Sequence, residues 1–419
     1  MDREGVTALI RSATAVDYTD TPNGTVLDVV LYAGAVEGDA GICAMETLLE
    51  TFMARRGFAM QINVLSPAVL RAAQENPENT QRSRCVCAAG MSISRRSRAL
   101  SRTNSSARPR MRQMLKTENH MTTGTYINIK RFEIHDGDGM RTTLFLKGCP
   151  LRCRWCHNPE GLSTKPELGF YAHKCTGCGR CAAACPTGAH CIVGGVHHFD
   201  RAKCIACGKC ESACFSDALI FYGKRATADE LLPKLIEDKP FYDNSGGGVT
   251  LSGGEPLLQA DFCRELLTAL HAAGVNTAVD TCLAVPEENL QKVIGVADTF
   301  LVDVKAYDSE LHRRLCGLPN ERILSNLRLL DSLQQRVEIR IPFVPGQNAG
   351  EIEKIADFLA PLTCVVGVRV LKYHNLSGTK YESLDMTYPL AAASTPVPTA
   401  AETEAACAAL EARGIRVLR

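Results

Sequence analysis

After residue 140 the chain alternates between short apolar runs and longer stretches in which apolar residues recur every three to four positions. Short runs of this kind predict β-strands, and the longer stretches predict amphipathic helices. The predicted strands are residues 143–147, 249–252, 277–280, 299–305, 337–344 and 366–373. The predicted helices are residues 228–237, 262–272, 321–333 and 351–359. This alternation predicts an α/β fold, a partial (β/α)6 barrel of the TIM type, whose functional residues lie at the carboxyl ends of the strands.

The first 120 residues follow a different pattern. Residues 41–55 predict a helix, residues 61–64 predict a short strand, and a further helix is expected after Ser66 and Pro67. Residues 81–120 are rich in arginine and serine, which is typical of a disordered basic linker or of a tail that binds nucleic acid. The expected divisions of the chain are a folded segment at 1–80, a linker at 81–120 and a main domain at 121–419.

The composition bounds the class of protein. A chain of 419 residues has room for roughly two or three domains. Hydrophobic residues make up 45% and charged residues 22%, and the net charge of +1 indicates neither a nucleic acid nor a membrane as partner. The chain lacks an apolar run near the length of a membrane span and a basic start followed by an apolar run, so we expect a cytoplasmic protein.

Cysteine is unusually frequent, at 20 residues. So many thiols in a cytoplasmic protein indicate metal or iron–sulfur ligation rather than disulfides. Two groups share the spacing CxxCxxCxxxC, in which three cysteines bind one [4Fe-4S] cluster and the fourth binds its neighbour, as in two-cluster ferredoxins. The predicted ligand sets, within an insert at 170–222, are Cys175, Cys178, Cys181 and Cys214 for the first cluster, and Cys204, Cys207, Cys210 and Cys185 for the second.

A third group has only three cysteines, Cys149, Cys153 and Cys156, in the spacing CxxxCxxC. Three thiolates leave one iron of a four-iron cluster without a protein ligand, and an open position of this kind suits a catalytic centre. The spacing is the signature of enzymes that bind S-adenosylmethionine at the open iron. Zinc is the alternative for all three groups, and His157 would then complete the site of the triplet.

Polar residues follow several of the predicted strands. Gly254 and Glu255 come after the second strand, where glycine lets backbone approach a ligand and the carboxylate can accept from an ammonium group. Asp303 and Lys305 end the fourth strand, and burying such a pair favours a polar ligand or ion. A tight turn and a strand-end salt bridge are the structural alternatives. Two further residues in comparable positions are Arg340 and His374.

Several stretches between Met121 and Arg419 carry a family resemblance. They are IHDGDGMR at 134–141, the cysteine triplet with HNPE at 157–160, GVTLSGGEP at 248–256, DVK at 303–305, IPFVPG at 341–346 and YHN at 373–375. In these the chain resembles the activating enzymes of glycyl radical enzymes, radical S-adenosylmethionine proteins typified by pyruvate formate-lyase activase. The paired quartets resemble the longer subgroup, which serves glycyl radical dehydratases, lyases and decarboxylases.

The resemblance implies a set of site residues. The implied catalytic residues are Cys149, Cys153, Cys156 and Lys305, of which the cysteines bind the catalytic cluster. The residues that would line the S-adenosylmethionine site are Trp155, Cys156, His157, Gly254, Glu255, Asp303, Lys305, Arg340 and His374. The positions associated with a monovalent cation are Asp280, Thr281 and Asp303. One departure is Leu283, where relatives usually have glycine, and it affects the geometry expected at the end of the third strand.

The implied activity is reductive cleavage of S-adenosylmethionine to a 5′-deoxyadenosyl radical, which removes hydrogen from a backbone glycine of a partner glycyl radical enzyme. The implied cofactors are S-adenosylmethionine, one catalytic and two auxiliary [4Fe-4S] clusters, and a monovalent cation. The auxiliary clusters would relay or store electrons from a flavodoxin or ferredoxin-like donor. The alternatives are a radical S-adenosylmethionine enzyme that acts on a small molecule and a ferredoxin-type electron-transfer protein, which leaves the triplet unexplained.

Residues 1–80 resemble the C-terminal region of a glycyl radical enzyme itself. The stretches that carry this resemblance are NGTVL at 23–27, FAMQINV at 58–64 and LRAAQENPEN at 70–79. The glycine loop that should follow is absent from this reading frame, but residues 83–94 can encode one in another frame. Our hypothesis is that a frameshift near Thr80 joins a truncated partner tail to its activase. The rival hypothesis is a docking or regulatory domain.

Overall fold

The computed structural model describes residues 5–15, 26–55, 57, 59–65, 122–390 and 395–418. Its strands are β1 (Val26–Tyr32), β2 (Ala59–Leu65), β3 (Thr123–Glu133), β4 (Arg141–Leu146), β5 (Glu167–Phe170), β6 (His190–Val193), β7 (Val196–Phe199), β8 (Leu219–Tyr222), β9 (Lys224–Thr227), β10 (Gly248–Gly253), β11 (Asn276–Thr281), β12 (Thr299–Asp303), β13 (Val337–Phe343) and β14 (Val365–Lys372). Its helices are α1 (Val6–Ala13), α2 (Gly38–Ala54), α3 (Arg180–Ala184), α4 (Lys209–Ala213), α5 (Ala228–Leu235), α6 (Lys239–Ser245), α7 (Ala260–Ala272), α8 (Glu287–Gln291), α9 (Ser309–Cys316), α10 (Glu321–Ser332), α11 (Ile352–Leu359), α12 (Gly378–Ser383) and α13 (Ala400–Glu411).

Eight strands form the central sheet, in the order β14-β13-β12-β11-β10-β4-β3-β9. The six strands β4, β10, β11, β12, β13 and β14 run parallel and coincide with the six predicted strands, so the α/β prediction is confirmed. β3 pairs antiparallel with both β4 and β9, and neither β3 nor β9 was predicted. Within the described residues β9 and β14 do not pair with each other, so the parallel part is a partial barrel open at its edges.

The parallel strands are apolar because both of their faces are covered. Every residue of β4 is buried, and so are six of the seven residues of β13. Helices cover the outer face, and α7 turns Phe262, Leu266 and Leu270 towards the sheet. Burial of each such side chain contributes roughly 1.5–3 kcal/mol. None of the described helices combines the length and the apolar character needed to cross a membrane.

The cysteine quartets lie in an insert between β4 and β9. Two small antiparallel sheets, β5 with β8 and β6 with β7, frame the short helices α3 and α4. The insert begins at Glu167 in β5, slightly before the predicted boundary at residue 170. Arg201 donates to Leu168 O within the insert, at 2.7 Å, and links the insert to the rest of the main domain by donating to Ser383 O.

The N-terminal segment packs on the outside of the barrel. β1 and β2 pair in parallel, and α2 corresponds to the helix predicted at 41–55. Leu48 and Phe52 of α2 share an apolar cluster with Met140 and Phe241 of the main domain. Arg11 of α1 adds an ion pair with Glu237 at 2.6 Å. The helix predicted after Ser66 and Pro67, the linker at 81–120 and Thr80 lie outside the described residues.

Candidate functional site

A cavity of about 1040 Å³ opens at the carboxyl ends of the parallel strands. Most residues predicted for the S-adenosylmethionine, cluster and cation sites line it. These are Cys149, Cys153, Trp155, Cys156, His157, Gly254, Asp280, Thr281, Asp303, Lys305, Arg340 and His374. The cavity therefore brings together residues from five strands and from the loop after β4, as expected for a barrel of this type.

The cysteine triplet is held by backbone hydrogen bonds on two sides. Glu255 N donates to Gly148 O at 2.6 Å, which fixes the start of the loop against β10. Arg152 N donates to Cys316 O at 2.7 Å, which fixes its middle against the end of α9. Because the loop is attached at both points, its three thiols lie on one wall of the cavity.

Gly253 and Gly254 make this attachment possible. Gly253 has a φ of +120°, and a Cβ there would lie 2.2 Å from Leu146 O. A Cβ on Gly254 would lie 2.1 Å from Gly148 O. The glycines therefore admit the backbone of the cysteine loop, in addition to the approach of a ligand that the sequence suggested.

The three thiols of the triplet are largely buried. Burial raises the pKa of Cys156 to about 12, so a bound metal would have to displace its proton. Two further buried cysteines, which the sequence analysis did not assign, contact the triplet. A hydrogen bond from Cys282 lowers the pKa of Cys149, and Cys316 lies against Cys153. The position of Cys282 directly after Asp280 and Thr281 was the available signal in the sequence.

Charged residues form the opposite wall of the cavity. Lys305 Nζ lies 2.5 Å from Asp303 Oδ2, and Arg340 Nη1 lies 3.4 Å from a carboxylate oxygen of both Asp136 and Asp280. Burial alone would lower the pKa of Lys305, but Asp303 together with Cys153, Cys282 and Cys316 raises it. Arg340 Nε is buried without a hydrogen-bond partner. Both cations are thus charged, and Arg340 retains a free donor. Asp136 was not assigned from the sequence.

Glu255 does not line the cavity, unlike the other predicted residues. Its carboxylate is fully buried and accepts from Thr281 Oγ1 at 2.8 Å, Cys282 N at 2.7 Å and Leu257 N at 3.0 Å. Since these bonds occupy it, the structure makes Glu255 a support for the end of β11, and the predicted direct contact with an ammonium group gains no support.

The predicted cation positions do not converge through their side chains. Thr281 donates to Glu255, whereas Asp280 accepts from Ser252 Oγ at 2.6 Å and Asp303 pairs with Lys305. Burial raises the pKa of Asp280 against the opposing effect of Arg340. The monovalent cation stays a prediction.

His157 and His374 form a stacked pair at the rim. Their ring centroids are 4.0 Å apart, and His157 Nε2 lies 3.0 Å from His374 O. Burial, followed by the effect of His374, lowers the pKa of His157 to about 4. Lys380 fixes the segment by donating to His157 O at 3.0 Å and to Glu160 Oε1 at 2.7 Å. The neutral pair presents a flat aromatic surface near Trp155.

Each cysteine quartet of the insert surrounds its own cavity. One cavity is lined by Cys175, Cys178, Cys181 and Cys214, and the other is lined by Cys185, Cys204, Cys207 and Cys210. The crossing of the fourth cysteine between quartets thus matches the predicted ligand sets. Four thiols around one cavity suit a [4Fe-4S] cluster. His190 and His197, which the sequence analysis did not single out, lie beside these cavities.

Comparison with known proteins agrees with this site. Residues 143–359 match the family model of the Radical SAM superfamily, and residues 1–83 match the model named Glycine radical. The chain is 43% identical over 265 residues to the benzylsuccinate synthase activating enzyme of Thauera aromatica, which covers 61% of this chain and 80% of that protein. It is 39% identical over 318 residues to the indoleacetate decarboxylase activating enzyme of Tractidigestivibacter scatoligenes, which covers 73% of this chain and 99% of that protein.

A partial barrel whose carboxyl-end cavity holds a CxxxCxxC loop defines the class, a radical S-adenosylmethionine enzyme. The chain belongs to the radical SAM superfamily and, within it, to the activating enzymes of glycyl radical enzymes. The family resemblance stated from the sequence is thereby confirmed. The roles of individual site residues stay predictions.

Proposed function

We propose that Cys149, Cys153 and Cys156 hold a [4Fe-4S] cluster and that S-adenosylmethionine binds beside it, so that the chain activates a partner glycyl radical enzyme. The observation that carries the proposal is the convergence of these three thiols with Lys305 and Arg340 in one cavity. When bound, cluster and S-adenosylmethionine supply one-electron cleavage of a carbon–sulfur bond and a radical that abstracts hydrogen. The residues of this chain position that chemistry and exclude water from it.

The donor set supports an iron–sulfur cluster over zinc. A structural zinc site needs four ligands, and His157 was the candidate to join the triplet. Its Nε2 instead lies 3.0 Å from the carbonyl oxygen of His374, which requires a proton on that nitrogen. Its ring is also fixed by stacking on His374. The triplet therefore lacks the proposed fourth zinc ligand and keeps the open position that S-adenosylmethionine binding requires.

The walls of the cavity suit the two ends of S-adenosylmethionine. The cations of Arg340, whose Nε makes no hydrogen bond, and of Lys305 suit the carboxylate of the methionine part. Asp303, beside Lys305, suits its ammonium group. Trp155 and the stacked pair of His157 and His374 offer flat surfaces for the adenine ring.

The two quartets of the insert would each hold one auxiliary [4Fe-4S] cluster. Each contains one exposed cysteine, Cys178 in the first and Cys207 in the second. Exposed ligands bring a cluster close to the surface, where a flavodoxin or ferredoxin-like donor can deliver electrons. The insert would then relay or store electrons for the catalytic cluster.

The proposal includes the N-terminal segment, which would be the truncated tail of a glycyl radical enzyme, the same class of protein as the partner. Its match to the glycine radical family model supports the proposed boundary near residue 80, and the main domain begins at β3. A frameshift near Thr80 would explain how a partner tail and its activase share one reading frame. The codons of residues 81–120 test this: a nucleotide sequence that cannot encode a glycine loop in another frame would contradict it.

Anaerobic incubation of iron-reconstituted protein with dithionite and S-adenosylmethionine tests the activity. We expect 5′-deoxyadenosine from the unchanged chain and none above background from Cys153→Ala. Cys191→Ala, an exposed cysteine outside the three groups, serves as the control and should keep the unchanged rate. A Cys153→Ala variant that still forms 5′-deoxyadenosine would contradict the proposal. A glycyl radical EPR doublet on an added glycyl radical enzyme separates an activase from an enzyme that acts on a small molecule.

A further inference from the structure

The two quartets of the insert are built alike, with one pattern of hydrogen-bond donors in each. A backbone N–H faces the first cysteine, from Gly177 to Cys175 Sγ at 3.5 Å and from Ala206 to Cys204 Sγ at 3.4 Å. A hydroxyl faces the crossing cysteine, from Ser216 to Cys214 Sγ at 3.6 Å and from Thr187 to Cys185 Sγ at 3.5 Å. A second backbone N–H also faces the crossing cysteine, from Ala218 to Cys214 and from Ala189 to Cys185. These donors give the two sites closely similar surroundings.

Two side chains break this symmetry. The hydroxyl of Thr176 donates to Cys178, where the second quartet has Ile205, and a buried histidine lies beside the first quartet. His197 of β7 lies against the first quartet, with Nδ1 3.7 Å from Cys175 Sγ and Nε2 3.6 Å from Cys181 Sγ. Across the described ranges, no imidazole nitrogen lies within hydrogen-bond distance of a sulfur in the second quartet. The first quartet therefore has two side-chain donors that the second lacks, the His197 imidazole and the Thr176 hydroxyl.

A second histidine connects His197 to the other site. His190 Nδ1 lies 2.9 Å from His197 Nε2, and the two side chains are only 4% and 9% exposed. His190 also lines the cavity of the second quartet and stacks on Phe199, at 4.7 Å between ring centroids. The imidazole pair thus spans the protein between the two cysteine cavities.

The proton positions in this pair follow from the ligand chemistry. A cysteine that binds a cluster is a thiolate, so its sulfur only accepts hydrogen bonds. His197 can face these sulfurs with a proton on Nδ1, towards Cys175, or on Nε2, towards Cys181, and the close contact of Nε2 with His190 favours Nδ1. A neutral His197 with its proton on Nδ1 leaves Nε2 free to accept from Nδ1–H of His190, at 2.9 Å. This arrangement satisfies the contacts with Cys175 and His190, and Cys181 Sγ then receives no proton from the ring.

We infer that His197 donates a hydrogen bond to the Cys175 sulfur of the first auxiliary cluster, that His190 holds His197 in the donating tautomer, and that the pair gives the two auxiliary clusters unequal reduction potentials. Reduction adds negative charge to a cluster, and a donor to its sulfur stabilises the reduced form more than the oxidised form. The first cluster therefore has the higher potential. His190 and His197 are positioning residues, and this inference rests on the auxiliary clusters of the proposed function.

An EPR-monitored redox titration of the iron-reconstituted full chain tests the inference. In His197→Leu, the reduction potential of the first auxiliary cluster should fall towards that of the second. We expect the equilibrium constant for its reduction to fall about tenfold, which corresponds to about 59 mV for one electron. His197→Asn should restore part of the difference because its amide can donate from the place of Nδ1. His190→Phe should lower the same potential, because His197 would no longer be held with its proton on the nitrogen that faces Cys175.

His198→Leu is the matched control, since His198 is the exposed neighbour of His197 on β7, and it should leave both potentials unchanged. Pulsed EPR of the unchanged chain with ¹⁵N-labelled histidine gives a readout without any substitution. We expect ¹⁵N coupling to one reduced auxiliary cluster only. This readout decides the case if a His197 variant fails to assemble the cluster.

The outcomes separate the inference from the proposed function. Unchanged protein that takes up no auxiliary clusters, or that binds zinc at Cys181, His190 and His197, would overturn the proposed ligand sets and the inference with them. Protein that holds both clusters but shows no ¹⁵N coupling, or no change of potential in His197→Leu, would overturn the inference alone.

Discussion

Leu283 has a φ of +54°, in the left-handed region, and its side chain is fully buried. This conformation costs about 1–2 kcal/mol for residues other than glycine. Leu283→Gly should therefore be more stable than Leu283→Ala, by about 1 kcal/mol, because only glycine relieves the strain. Thermal unfolding of the metal-free protein shows which of the two variants is the more stable.

Leu251 of β10 provides the control for this comparison, since it is equally buried but has ordinary strand geometry. There the order should reverse, with Leu251→Ala more stable than Leu251→Gly. The same order at both positions would show that Leu283 is not strained. The positive φ of Leu283 gives a physical reason for the glycine that the family resemblance implies at this position.

Cys282 contacts Cys149 and yet should not be a cluster ligand. If three thiolates hold the catalytic cluster, Cys282→Ala should keep the iron content and the EPR signal of the unchanged chain, whereas Cys149→Ala should lose the catalytic signal. Anaerobic iron analysis with EPR measures both variants. Loss of the catalytic cluster in Cys282→Ala would mean that a fourth thiol occupies the position proposed for S-adenosylmethionine.

The spacing of the cysteines predicted the three cysteine groups, and the position of polar residues at the ends of predicted strands indicated most of the other cavity residues. They did not single out Asp136, in the connection between β3 and β4, or Cys282, directly after Thr281, because the pattern does not show which of these side chains turn towards the cavity. They also placed Glu255 on the ligand side, although its carboxylate turns towards Thr281 and Cys282. A carboxylate after a glycine pair has several directions available, and only the packed structure selects one.

At the scale of elements, β3 ends in a half-buried carboxyl group, that of Glu133. Burial, with the nearby Asp136, raises the pKa of Glu133 from 4.5 to about 7. The folded protein then binds a proton that the unfolded chain has released, so stability falls as pH rises between these values. Glu133→Gln should remove this slope and be more stable than the unchanged chain at pH 8, by about 1–3 kcal/mol.

Denaturant unfolding of the metal-free protein at pH 5 and pH 8 measures this effect. Glu288→Gln, at an exposed position of α8, is the control and should leave the pH dependence unchanged. Equal pH dependence in Glu133→Gln and the unchanged chain would contradict the prediction.

β3 and β9 were not predicted because their sequences lack the continuous apolar run of the parallel strands. The parallel strands are covered on both faces and appear as continuous apolar runs, as in β4. β3 instead mixes buried, half-buried and exposed positions without strict alternation, and β9 has only four residues. A strand at the edge of a sheet leaves a weaker pattern than one at its centre.

At the scale of the whole molecule, the N-terminal segment reaches the functional cavity. Gly34, Glu37 and Gly38 line it, and His135 Nε2 lies 3.3 Å from Gly34 O. The segment is held by an apolar cluster separate from the barrel core. Its path therefore forms part of the rim of the cavity, which no pattern in the sequence indicated.

Leu48→Asp should release this segment from the barrel, because a charge would replace a side chain that is fully buried in the shared cluster. Hydrogen exchange of the full chain should become faster in α2 and β1 and stay unchanged in β10, whose core is separate. Leu49→Asp, at a neighbouring position that is 41% exposed, should exchange like the unchanged chain. Unaltered exchange in Leu48→Asp would show that the segment is not held through this cluster.

The central claim is that the loop from Cys149 to Cys156 holds a cluster with one iron open to S-adenosylmethionine. EPR of the reduced, iron-reconstituted chain before and after addition of S-adenosylmethionine tests it most directly. The signal assigned to the triplet should change on addition and be absent from a variant with all three of its cysteines replaced by alanine, while the auxiliary signals stay the same. A spectrum that S-adenosylmethionine does not alter, or a triplet occupied by zinc, would contradict the claim.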